Sequence, residues 1–129
     1  MKTLLSTSAA IEMGAGLALT IMPSTVVILL LGSSLHTPAT LTVGRVAGIA
    51  LFTLGVACCF ARNDGGSRAA AGLVTAMLFY NVVVAGVLVF AGTVLELYGI
   101  ALWPGVFLHA AMAVWCLLCL QINLKKVNK

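Results

Sequence analysis

The sequence predicts an all-α membrane protein, a polytopic, antiparallel bundle of four transmembrane helices forming one domain over residues 1–129. Three observations carry that expectation. Hydrophobic residues make up 62% of the chain and charged ones 8%, where a soluble domain usually carries about 25% charged residues. The mean hydropathy is +1.18. Apart from Glu12 and Arg45, every Lys, Arg, Asp and Glu lies at a terminus or in a short segment between apolar runs. So few charges cannot solvate a water-facing surface, and lipid is the expected solvent. Runs such as Val82-Val83-Val84 and Thr25 to Leu31 do not alternate in polarity, as the strands of a membrane barrel would.

The apolar stretches run over about 8–32, 38–61, 69–91 and 99–124, each near the ~20 residues that cross ~30 Å of hydrocarbon. Lys2 and Leu4-Leu5 could open a cleaved signal peptide. Glu12 interrupts that region and the apolar run then continues to Gly32, so the first stretch is read as a retained span. Gly32-Ser33-Ser34 ends it. Thr37 is placed to cap the second helix, with Pro38 at the first helical position, where a missing N–H costs nothing. The polar segment from Arg62 to Arg68 is a turn, and 92–98 is the third connection. Pro104 either opens the fourth helix or kinks it one turn in. Connections this short make neighbouring helices antiparallel.

Orientation follows from the basic residues. Lys2, Arg62, Arg68, Lys125, Lys126 and Lys129 fall on one side of a four-span chain, while the opposite loops hold His36 and Glu96 and no Lys or Arg. Positive residues stay inside, so both termini are expected in the cytoplasm and the protein in the cytoplasmic (inner) membrane. Tyr98 and Trp103 then meet the outer interface, where amphipathic rings prefer to sit. The net charge of +4 reports this topology and points to no nucleic acid. The expected partners are the lipid bilayer and other membrane subunits, or copies of the chain itself.

Helices in lipid approach closely through small residues. The second helix carries Gly44, Gly48 and Gly55 on one stripe, the first Ala10, Gly14 and Ala18 with Gly16 nearby, and the fourth Gly105, Ala110 and Ala113. Contact within one bundle is the preferred reading over a homodimer face.

Each span contributes one strongly polar residue: Glu12, Arg45, Asn81 and His109. Counted at about 1.5 Å per residue from the basic end of each helix, they fall within about two turns of depth. An unpaired charge there costs about 2.5–3.5 kcal/mol or more. Arg45 is therefore expected to pair with Glu12, with Asn81, His109 and an inward Tyr80 completing the hydrogen bonds. Such a cluster reads either as a site for a solute or proton, with Glu12 and His109 titrating, or as a polar lock on helix register. A single buried His is a poor haem ligand set, and no cofactor is expected. Cys58 and Cys59, with Cys116 and Cys119, could form a soft-metal site, though Cys also serves as a small apolar residue in such helices.

The Gly-rich first helix with Pro23 and the segment Gly44-Arg45-Val46-Ala47-Gly48 resemble small four-helix membrane proteins of the DoxX-like kind. The resemblance covers two of the four helices and implies a membrane bundle, with no site or activity to transfer. No phosphate loop, nucleophile elbow or CxxC at a strand–helix turn is present. The leading expectation is a non-enzymatic accessory or assembly subunit of a larger membrane complex. The alternative is a small oligomeric transporter or channel built around the polar cluster.

Overall fold

The computed structural model describes residues 1–127, with side chains as far as Asn123. Lys129, counted above in the basic tail, lies outside the described residues. The described chain is helical without strands: α1 (Lys2–Ile21), α2 (Pro23–Leu31), α3 (Pro38–Ala61), α4 (Arg68–Thr93) and α5 (Leu102–Val127). All but α2 are long and apolar enough to cross a membrane.

The span expected over 8–32 is two helices, and it starts at Lys2. The early start has a tertiary cause: Leu4 and Leu5 are almost fully buried against the other helices. The break has a local one. Pro23 has no N–H to donate, its ring collides with the carbonyl four residues back, and it pushes the preceding residue out of helical geometry. Met22 accordingly sits at φ −127°, ψ 60°, and Pro23 opens α2. Gly32 closes α2 in the left-handed region at φ 73°, a conformation glycine adopts without steric cost.

The remaining ends follow ordinary capping chemistry. Thr40 N–H donates to Thr37 Oγ1 at 3.1 Å and Thr37 N–H to Thr40 Oγ1 at 3.2 Å, a reciprocal box ahead of Pro38. Ser67 Oγ accepts from Ala70 N–H at 3.0 Å and starts α4. Helix α5 begins at Leu102, later than the expected residue 99. Pro104 falls in its first turn, where no intrahelical N–H is required. Residues 99–101 instead stitch the loop to α2, with Ala101 N–H donating to Leu29 O at 2.8 Å.

Helix α1 packs mainly along α3, and α4 along α5. The first pairing is backbone to backbone. A Cβ added at Gly48 would stand 2.6 Å from Thr20 N and 2.7 Å from Gly16 O. One at Gly55 would stand 2.8 Å from Met13 N and 3.0 Å from Ala9 O. Gly44, at the top of the same stripe, faces Pro23 and Leu35. The glycine stripe of α3 is therefore used inside the chain. On α1 the contact residue is Gly16; Gly14 and Ala10 face outward, contrary to the face expected from spacing. Leu5, Cys58, Met77, Met112 and Cys116 join the two helix pairs in one apolar core.

Candidate functional site

Three of the four polar residues expected to cluster do so. Asn81 is 1% and Glu12 3% exposed, and His109 is half-buried beside them. Asn81 Nδ2 donates to Met77 O, one turn back on α4, at 2.7 Å. That bond orients the amide, since the reversed amide would set two carbonyl oxygens against each other. Asn81 Oδ1 then faces His109 Nδ1 at 2.8 Å, so Nδ1 is the protonated nitrogen and donates. The tautomer leaves Nε2 of the neutral ring as a lone pair. The Tyr80 ring meets the imidazole edge-on, with centroids 5.7 Å apart and planes at 80°. Its hydroxyl donates a long bond, 3.4 Å, to Glu12 Oε2.

Arg45 is not part of this group. It is exposed on the outer face of α3, and among the described residues it forms no ion pair or hydrogen bond with Glu12. The expected Glu12–Arg45 pair is thereby corrected. The two residues share neither a face nor a depth: Gly44, beside Arg45, packs against Pro23 just past the end of α1, while Gly55 packs against Met13, beside Glu12, so Arg45 and Glu12 stand more than ~10 Å apart along the bundle. The stripe that turns Gly44, Gly48 and Gly55 toward α1 and α2 carries the neighbouring position, Arg45, away from the bundle. Glu96, the other acidic candidate, is exposed in the loop after α4 at φ 53°.

Above the polar group lies a half-enclosed cavity of about 570 Å³. Glu12, Tyr80 and His109 form its polar end, and its wall is otherwise apolar, with Val26, Leu30 and Leu88 among the lining residues. The break at Met22 is what places α2 there, in contact with both α3 and α5. Glu12 Oε1 and His109 Nε2 have no hydrogen-bond partner among the described residues. Neither is sealed off, because among the described residues the one fully buried side-chain polar atom without a partner is Ser8 Oγ. Ser8, one turn before Glu12, was missed in the sequence reading, although its spacing of four marks the same face.

The cysteines belong to the core. Cys58 and Cys116 are fully buried in it, Cys59 and Cys119 pack against it, and all four are free thiols. Among the described residues no three His, Cys, Asp or Glu side chains converge as a metal site would need. The four-thiolate alternative does not assemble.

Comparison with known proteins finds no matching family model, no similar curated protein and no similar solved structure.

Proposed function

We propose that this chain is a small, non-enzymatic membrane protein that holds a solute between its two helix pairs, as a carrier or binding subunit. The supporting observation is the cavity that ends on Glu12, Tyr80 and His109. Its volume falls in the ~300–1,000 Å³ range of small-molecule sites, and its wall has the usual composition, mostly apolar with a few convergent polar groups. A polar lock that only fixed helix register would close its hydrogen bonds internally. Here Glu12 and His109 line the cavity, and a carboxylate oxygen and an imidazole nitrogen are left without an internal partner among the described residues. In the bilayer the bundle is antiparallel and lies in the cytoplasmic membrane with both termini inside, as the basic residues direct.

The accessory-subunit role keeps one specific support, the outward position of Arg45 beside exposed Val43, Val46 and Ile49. A cation on a lipid-facing helix either snorkels to a headgroup or meets an acid of a neighbouring chain. Native mass spectrometry after purification in mild detergent separates the two roles. The solute-site reading expects a discrete species retaining a small molecule that Val84→Phe, which narrows the cavity, displaces. Recovery only as a stoichiometric member of a larger complex, with no molecule sensitive to Val84→Phe, overturns it in favour of the accessory role.

A further inference from the structure

Resting on the solute-site reading, we propose that the ligand is a lipophilic amine: an apolar body carrying a protonated nitrogen with N–H bonds. The cavity's polar end selects that chemistry through its acceptors. The Asn81 bond holds the His109 proton on Nδ1, so the polar group that His109, a lining residue, has left to offer a ligand is the bare Nε2 lone pair. Glu12 Oε1 is likewise unpartnered among the described residues, and the residue, at the cavity's end, is only 3% exposed. Glu12 is also the one acidic residue within the five helices, since Asp64 and Glu96 lie in loops. Arg45, the partner expected from the sequence, points away from the bundle and lies level with the end of α1. No side chain of the described chain supplies a positive charge to this carboxylate.

An unpaired carboxylate in hydrocarbon is strongly unfavourable, and buried charges are found paired. An ammonium group meets both requirements at once. One N–H donates to Glu12 Oε1 as a charge-assisted bond, and a second donates to His109 Nε2. The Tyr80 ring, standing edge-on to the imidazole, offers its face or hydroxyl beside the same spot. The hydrocarbon body then runs along Val26, Leu30 and Leu88. A neutral acceptor such as a ketone finds no matching donor at His109. A quaternary ammonium keeps the charge but has no N–H for either acceptor. An anionic amphiphile would set two negative groups together.

Three probes with one compact apolar body test this: 1-adamantylamine, 1-adamantanol and the N,N,N-trimethyl derivative of the amine. Binding is measured by isothermal calorimetry on the full chain in lipid nanodiscs, against protein-free nanodiscs of the same lipid. The amine is expected to bind at least about tenfold more tightly than either analogue, the margin of one charge-assisted hydrogen bond. Glu12→Gln, nearly isosteric, is expected to remove the amine's advantage, so that amine and alcohol bind that variant with similar affinity. Equal affinities for amine and alcohol in the unaltered protein overturn the amine assignment, while the cavity reading survives. A trimethyl derivative matching the amine also overturns it, because charge alone would then explain binding. Saturable binding by none of the three, or binding that Val84→Phe does not weaken, overturns the solute-site reading itself.

Discussion

Asn81 shows how one amide can set the chemistry of a neighbour it does not resemble. Its Nδ2 is committed to the backbone of its own helix at 2.7 Å, which leaves Oδ1 to take the His109 proton at 2.8 Å. Removing the acceptor strands an imidazole N–H in a largely apolar interior, at a cost of about 1–3 kcal/mol. Asn81→Ala is therefore expected to lower the thermal midpoint in detergent. In a double-mutant cycle with His109→Phe, the pair should couple by about 0.6 kcal/mol, the mean for hydrogen bonds between membrane helices, and by no more than about 1.7 kcal/mol. Arg45→Ala combined with Glu12→Gln supplies the contrast. These residues lie on different faces, and separated sites add to within about 0.5 kcal/mol. Strong coupling between Arg45 and Glu12, or none between Asn81 and His109, would show that the faces are assigned wrongly.

At the scale of helices, the same residue type has opposite consequences at different positions. Gly48 lies against the backbone of α1, and a Cβ there would stand 2.6 Å from Thr20 N. Backbone cannot move aside as a flexible side chain can, so the two helices would have to separate. Gly48→Val is expected to abolish the folded monomer or lower its thermal midpoint severely. Gly14, two residues before Gly16 on α1, has no atom within 4 Å of an added Cβ. Gly14→Ala should change stability by no more than about 0.5 kcal/mol in the destabilising direction, and helix propensity favours Ala over Gly by up to ~1 kcal/mol. Thermal denaturation followed by circular dichroism compares the two directly. A tolerated Gly48→Val would mean that the stripe does not join α1 to α3.

For the molecule in its membrane, the distribution of positive residues carries the prediction. Lys2, Arg62 and Arg68 belong to the chain start and the connection between α3 and α4, while the connections after α2 and α4 contain no Lys or Arg. A cytoplasm-active reporter fused at the C-terminus should give signal, and a periplasm-active one inserted near Ser33 should do the same. The reverse pattern at both points would invert the orientation. It would also move the cavity to the other side of the membrane, since its lining residues on α2 and at the start of α5 lie toward the end that holds Gly32 and Gly99.

By itself the sequence determined the helical, membrane-embedded class, the exact extent of α3, the Thr37–Pro38 start and the glycine stripe. Each of these is a local property. Hydropathy, capping and residue size act over one helix and its own turns. The sequence also identified Glu12, Asn81 and His109 by the cost of placing polar groups in hydrocarbon, and with them Tyr80. Which polar residues would meet was a matter for the tertiary structure. Counting residues along single helices gives neither the facing nor the register between helices: close packing of α1 on Gly48 and Gly55 of α3 turned Arg45 out and set it level with the end of α1, away from Glu12. The cavity was beyond local reading for the same reason. Its wall is made of ordinary aliphatic side chains from five helices, brought together because Pro23 breaks the first span and the Ala101–Leu29 hydrogen bond ties α2 to the start of α5.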